Sequence, residues 1–304
     1  MTTRIPRFPD FAPISLERHA EVAPFLSAFG TICSDYSFVN LFCWDTDGTG
    51  GLAWLNGNLV VRLPNYQASG RPQYSVMGRS RVAETVDELL RTVDELVLVP
   101  EHLANTIAQD GRFRVAESRD DFDYLYDVEA LTHLRGSTYN HKRRQLRRFD
   151  DAVDDCTIRT FSGKSAAGLA SDIRPLVGRW ANAVAPMDDV GTHELIALDR
   201  LFDNLACLDV ELTLCVVNGE IAGFSVQELL HGRYAICHFE KADRSGKFPV
   251  HLPTKLAVEA VRSLNGRVAV VNWEQDLGIP GLRTSKTSYR PIALLKKYAI
   301  ATDA

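Results

Sequence analysis

The chain has 304 residues, 45% of them hydrophobic and 24% charged, with a formal net charge of -5. That length exceeds one small core and suits two domains of about 150 residues each. The balance excludes the global basic field of a general nucleic-acid binder, so any RNA contact is local, and no apolar run reaches the ~20 residues of a membrane-spanning helix.

The opening residues lack the apolar core of a signal peptide, and a cytoplasmic location is the expectation. Six cysteines (Cys33, Cys43, Cys156, Cys207, Cys215, Cys237) form no C-x-x-C pair. They read as reduced core thiols rather than a disulfide frame or a zinc site.

Apolar spacing predicts helices over 14–29 and 35–44. GLAWLNGNLVVRLP then sets Asn56-Gly57 between two alternating apolar runs. This is a hairpin signature, because a two-residue turn needs the positive φ that Asn-Gly accepts cheaply. Val82, Val86, Leu89, Leu90 and Val93 mark a helix, and LVLVP over 96–100 a short buried strand. Residues 121–128 read as a strand and 138–150 as a helix.

The second half repeats the order. Helices are predicted over 166–185 and 193–208, then a hairpin about Asn218-Gly219 and a strand ending in His238-Phe239-Glu240-Lys241-Ala242. A helix carrying Leu256, Ala257, Ala260, Val261 and Leu264 follows, and a strand over 268–272. Helix, helix, hairpin, helix, strand given twice argues for two copies of one α/β unit, 1–150 and 151–304, with no Pro/Ser-rich linker between them.

Three segments could carry chemistry. Residues 130–149 hold six basic side chains, Arg135, Lys142, Arg143, Arg144, Arg147 and Arg148, and no acid. Wound as a helix, they put Tyr139, Leu146 and Phe149 on a buried stripe, with Lys142, Arg143 and Arg147 flanking it and Arg144 and Arg148 pointing away. Such a ridge can meet phosphates; a solvated helix balanced by Asp150, Asp151, Asp154 and Asp155 is the alternative.

In the second segment, strict alternation puts His238 and Glu240 on one sheet face and Phe239 and Lys241 on the other. Glu240 is then either a cleft residue or a rim carboxylate. The loop after it, with Arg244, Gly246 and Lys247, suits a phosphate at a helix start, although Pro249 and Pro253 remove backbone donors.

The third segment runs from the strand over 268–272 into Asn272, Glu274 and Asp276, a Gly278/Pro280/Gly281 turn, and Arg283 and Lys286 three apart on one helix face. Carboxylates and an amide at a strand end, followed by cations, can hold a polar ligand and move a proton. A plain strand-to-helix turn with surface ion pairs is the alternative. Gly163-Lys164-Ser165 lacks the leading glycine of a P-loop, and the histidines show no metal-binding spacing.

FPDFAPISLE, YSFVNLFCW, RDDFDYLYDVEALTHLRGSTYNHKRRQLRRF, HFEKA and above all EQDLGIPGLRTSKTSYRP together resemble proteins similar to the C-terminal domain of phosphatidylglycerol lysyltransferase. The resemblance spans nearly the whole chain. It implies an α/β (α+β) fold of two tandem GNAT-type acyltransferase units, each a mixed, mostly antiparallel sheet flanked by helices.

It also implies transfer of an aminoacyl group from aminoacyl-tRNA to an amine or hydroxyl of a soluble acceptor, with no tightly bound cofactor. Acyl-CoA as donor to a small amine, and a non-catalytic tandem domain that binds RNA or another ligand, are the alternatives. The family's glycine-containing loop after H-x-E-K-A is here DRSGKFPVHLP, which argues against ordinary acetyl-CoA use.

On this reading Glu240, Glu274 and Asn272 are catalytic. Arg283, Lys286, Tyr289, Lys241, Lys247 and Asp276 bind the donor, and Lys142, Arg143, Arg144 and Arg147 meet RNA. The active cleft lies in the C-terminal unit, and the N-terminal unit is structural.

Overall fold

At Asn56-Gly57 and Asn218-Gly219 both residues of each pair take positive φ, 53° and 82° in the first and 50° and 78° in the second. That is the conformation a two-residue hairpin turn demands, and it matches the right-handed twist of the flanking strands. The computed structural model describes residues 4–29, 31–64, 73–184, 189–231 and 233–303.

Thirteen strands are defined among the described residues. In chain order they are β1 (Gly51–Leu55), β2 (Asn58–Leu63), β3 (Gln73–Met77), β4 (Glu95–Pro100), β5 (Phe113–Glu117), β6 (Asp123–Asp127) and β7 (Cys156–Ser162). They continue as β8 (Val210–Val217), β9 (Glu220–Leu230), β10 (Tyr234–Ala242), β11 (Val270–Asn272), β12 (Ala293–Leu295) and β13 (Lys297–Thr302).

They form two mixed sheets, ordered β1-β2-β3-β4-β13-β5 and β12-β6-β11-β10-β9-β8-β7. Each contains an antiparallel hairpin, a third antiparallel strand, one parallel neighbour (β4 beside β3, β11 beside β10) and then an antiparallel strand. The repeated order read from the sequence is therefore a repeated topology, and helices flank both sheets.

The strand beside the parallel pair comes from the other half of the chain in both sheets. β13, the C-terminal strand, inserts between β4 and β5, and β6 pairs with β11. Two compact units result: Met1–Asp123 with Gln275–Pro280 and Leu294–Ala304, and Tyr124–Glu274 with Gly281–Ala293.

The boundary expected near Asp150 thus moves to Asp123. Residues 124–150 belong with the second unit because β6 is held in register against β11, and because the helix Asn140–Asp150 packs on the helix Leu252–Leu264. Phe149 enters the same apolar cluster as Leu252, Leu256 and Ala242.

Helices form where the spacing predicts, with shifted ends: His19–Ser27, Phe38–Trp44, Val82–Leu90, Ala170–Val184, Asp189–Asn204 and Leu252–Leu264. Ala185, the expected end of one of them, lies outside the described residues. In the first unit Val86, Leu89, Leu103 and Ile107 close over Val60, Val76, Leu96 and Ile300. The last of these is on β13, so the first core is complete only when the C-terminal strand is in place.

A charged network fixes that strand. Lys297 is fully buried; its Nζ lies 2.6 Å from Asp123 Oδ1 and also pairs with Asp35. Asp123 accepts bonds from the Ser34 N–H at 2.7 Å and the Ser34 hydroxyl at 3.0 Å, and Asp35 accepts from Gln275 Nε2 at 2.7 Å. Burial works against the charge of Lys297, but the two aspartates outweigh it and hold its pKa well above the usual lysine value.

Removing one member strands the others in a dry interior, which typically costs about 3–5 kcal/mol. Lys297→Met should lower unfolding stability by that amount, read from urea denaturation at neutral pH. A loss under about 1 kcal/mol would show that the first unit does not rely on this cation.

Candidate active site

The parallel ladder between β10 and β11 is three residue pairs long: Tyr234 with Val270, Ala235 with Val271 and Ile236 with Asn272. Beyond Asn272 the chain stays with β6. The Trp273 N–H donates to Tyr124 O at 2.9 Å and the Tyr124 N–H to Glu274 O at 3.2 Å. β10 runs on to Ala242, so its last six residues have left the β11 partner behind.

Asn272, fully buried, sets the point of departure. Its Nδ2 donates to the Tyr234 hydroxyl at 2.8 Å and its Oδ1 accepts from the Glu274 N–H at 2.7 Å, and Glu274 takes the left-handed φ of 55°. Glu274 is then held from the side by His238, whose Nδ1 lies 3.0 Å from Glu274 Oε1 and whose Nε2 lies 3.0 Å from Glu228 Oε2. Burial alone would depress the imidazole, but the bonds to the two carboxylates outweigh it and push its pKa up to about 9. At neutral pH the group is an imidazolium clamped between two glutamates.

His238 is the extra residue of a bulge: Cys237 opposes Gln227 and Phe239 opposes Val226. The bulge reverses the alternation expected from the sequence. Glu240 pairs with Ser225, which receives a 2.7 Å bond from Gln227 Nε2 and lies 3.3 Å from Cys237 Sγ. His238 reaches Glu228, on the opposite face from Gln227. His238 and Glu240 therefore face opposite sides of the sheet, and of the two expected catalytic carboxylates Glu274 bonds His238 while Glu240 faces away from it.

Glu240 keeps part of its surface open while dense protein surrounds it. Burial pushes its carboxyl up to about 7, against the pull of the ammonium groups of Lys241, Lys286 and Lys142. Among the described residues no hydrogen bond or ion pair engages this carboxylate. Tyr289 lies on the same side and is raised by burial and by the Glu240 charge, while a bond to Thr254 opposes the shift. Trp273 stacks edge-on against Tyr289 at 4.9 Å and tilts over Tyr126 at 4.4 Å. The result is a carboxylate that can accept a proton near neutral pH, beside cations and an aromatic wall.

The other expected site residues are distributed more widely. Lys286 donates to Trp273 O, and Arg283 is half-buried on the same helix, Pro280–Ser288. Lys241 turns to the opposite face, 2.6 Å from Glu194 Oε1 and 4.3 Å above the Trp180 ring. Lys247 pairs with Glu220 at the hairpin end. Asp276 belongs to the first unit, where its buried carboxylate bonds Arg119 at 3.2 Å and the Gly278 N–H at 2.9 Å. These three are occupied by structure, because each finds an opposite charge within its own neighbourhood.

The basic helix divides in the same way. Arg144 and Arg147 are exposed, as is Arg148, and no ion pair engages them among the described residues. Arg143 instead bonds Gly136 O at 2.8 Å, and also Leu134 O and Asn140, tying down the loop before its own helix. Lys142, expected on the flank, is 6% exposed, with Nζ 3.2 Å from the centre of the Tyr289 ring. The helix turns it inward because Lys142, Leu146 and Phe149 follow the i, i+4, i+7 spacing of one buried stripe. Burial pulls its ammonium down to about 8, with Glu240 opposing the shift.

Sequence reasoning missed Glu228, Trp273, Tyr126 and Thr254. Glu228 carried one usable signal: a buried histidine needs partners for both ring nitrogens, and Glu228 is the carboxylate that the antiparallel pairing of β9 with β10 brings beside it. Among the described residues no group of three His, Cys, Asp or Glu side chains is arranged to hold a metal ion, and no helix is long and apolar enough to cross a membrane.

Residues 33–301 match the sequence profile of the family described as phosphatidylglycerol lysyltransferase, C-terminal. Among solved structures, a conserved protein of unknown function from Bacteroides thetaiotaomicron VPI-5482 superposes with a TM-score of 0.84 at 24% identity, covering 96% of this chain and 99% of that one. L-PGS from Bacillus licheniformis superposes with a TM-score of 0.63 at 13% identity, covering 98% of this chain and 94% of that one. Both likenesses concern the fold. A search of curated proteins found no match.

The His238 clamp has a definite pH signature. Its folded pKa of about 9 exceeds the ~6.5 of an unfolded histidine. Its stabilisation is therefore complete below about pH 6.5 and is lost as pH rises through 9, on the order of 3 kcal/mol in all. Denaturation at pH 6 and pH 10 should show this extra loss in the wild type and not in His238→Gln; parallel curves for the two proteins would contradict the clamp.

Proposed function

The chain belongs to the phosphatidylglycerol lysyltransferase C-terminal family, and from that premise we propose that it is an acyltransferase moving an aminoacyl group from aminoacyl-tRNA to an amine or hydroxyl of a soluble acceptor. The observation that carries this reading is Glu240: an unpartnered carboxylate, poised near neutral pH, at the place where β10 separates from β11.

Aminolysis of an ester needs a base for the attacking nitrogen's proton and cations near the oxygen that gains charge. Glu240 is the base on this account. Glu274 and Asn272 act indirectly, holding the strand ends apart. Lys286 and Tyr289 line the donor side, and Arg283 is assigned to a donor phosphate. Arg144 and Arg147, with Arg148, meet the RNA backbone. A cytoplasmic setting, where aminoacyl-tRNA is made, follows from the donor.

The test is retention and turnover of a labelled total aminoacyl-tRNA pool. Wild-type protein should retain the pool, and CoA should not displace it. Retention that CoA relieves would move the donor to acyl-CoA, and no retention would remove the aminoacyl reading. Replacing Arg144, Arg147 and Arg148 with alanine should flatten the salt dependence of retention by about 2 to 3 in log–log slope. An unchanged slope would return that ridge to a solvated helix face.

Glu240→Gln should lower the transfer rate by about 10²- to 10⁴-fold. Because the base acts deprotonated, the wild-type rate should rise as pH increases through about 7. A flat profile from pH 5.5 to 8.5, or full activity in the glutamine variant, would exclude Glu240 as the base.

A further inference from the structure

Lys142 shares a helix with the exposed arginines but not their surroundings. Its stem is buried beside Leu146 and Phe149, and its Nζ rests on the face of Tyr289. Among the described residues no oxygen accepts a hydrogen bond from it. A buried ammonium normally finds such an acceptor, because removal from water is costly and an aromatic face replaces only part of what is lost. Three N–H donors are therefore held ready with a ring behind them. Lys142 and Glu240 feel each other's charge.

Resting on the aminoacyl-transfer reading, we propose that Lys142 is the proton donor to the leaving oxygen of the acyl donor, working opposite Glu240. In the step, the acceptor nitrogen forms a bond to the ester carbonyl carbon. The bond from that carbon to the ribose oxygen breaks, and its electron pair stays on the oxygen. The nitrogen's proton passes to the Glu240 carboxylate, and the ribose oxygen takes a proton from the Lys142 ammonium. A proton moving from Glu240 to the neutral Lys142 amine, directly or through solvent, returns both to their starting states. Amine and ester have become amide and alcohol, and nothing else is consumed.

The environment supports the assignment. A surface lysine is too weak an acid to help a departing alkoxide much, whereas burial has brought Lys142 down to about 8, still protonated at neutral pH but a better donor. Arginine could supply charge at this position but not a proton.

The experiment compares wild type, Lys142→Met and Lys142→Arg in hydroxylaminolysis of two esters of the same amino acid, ethyl and p-nitrophenyl, with aminoacyl-tRNA as a third donor. Thermal melts confirm that each variant folds. Lys142→Met should lose about 10²-fold or more with the ethyl ester and aminoacyl-tRNA, whose alkoxides leave poorly. It should lose less than about 5-fold with the nitrophenyl ester, which needs no acid. Lys142→Arg should fail in the same pattern.

Equal losses on both esters would reduce Lys142 to a structural role, and rescue by arginine would leave only an electrostatic one; either overturns the proposal. Turnover of both simple esters but not of aminoacyl-tRNA would defeat the donor reading alone, since the ester comparison still decides Lys142. Wild type inactive on all three would overturn both.

Discussion

The candidate site depends on a parallel ladder that stops after three residue pairs. β11 could have followed β10 further, but Asn272 bonds the next-but-one main-chain N–H, Glu274 takes a left-handed turn, and Trp273 and Glu274 remain tied to Tyr124 of β6. The strand that departs is fixed as well. A bulge at His238 turns the imidazole towards Glu228 and Glu274 and thereby turns Glu240 to the other face. Separation of the strands and orientation of the carboxylate are one constraint, because the residue that makes the bulge is the residue that clamps Glu274.

The electrostatics follow from that geometry. The carboxylates on the His238 face are neutralised at close range and serve as structure. Glu240, on the other face, has cations in its neighbourhood but no bonded partner, so burial dominates and its proton affinity moves to neutrality. The first unit shows the opposite arrangement. There Lys297 pairs with both Asp35 and Asp123 and fastens the C-terminal strand, so the raised carboxyl, Asp35, pushed by burial up to about 6, sits against a buried cation. Buried charge thus serves cohesion around Lys297 and His238 and, on the present account, reactivity at Glu240.

Much of the frame was legible in the residues. Two Asn-Gly turns, two amphipathic helices and two short apolar strands announced a repeated α/β unit, since turn chemistry and periodicity are local properties. The strand exchange was not legible. β6 and β13 have ordinary strand patterns, and which sheet each joins is decided by long-range packing of residues such as Ile300 and by the burial of Lys297. Placing the boundary at Asp150 was the consequence.

The site was half visible. HFEKA and the segment from Asn272 to Lys286 do come together in the fold, through His238 and Glu274, but strict alternation misassigned the face of Glu240, since a bulge adds a residue without a sequence mark. Lys142 was grouped with the arginines because charge alone puts them together; its i, i+4, i+7 relation to Leu146 and Phe149 was the signal that it points inward. Asp276 and Lys247 looked like ligand groups only because their partners, Arg119 and Glu220, lie far away in sequence.

The central claim is that chemistry takes place at the free end of β10, with Glu240 and Lys142 on either side of the reacting carbonyl. A crystal structure with a non-hydrolysable 3′-amide aminoacyl-adenosine tests it most directly. The account predicts the amide carbonyl within about 4 Å of both side chains, with the ribose 3′ nitrogen, which stands where the ester's leaving oxygen would be, on the Lys142 side of the carbonyl. The analogue seated instead in the cavity lined by Asp127, His133, Arg135 and Tyr139, or in the first unit, with Glu240 untouched, would contradict it.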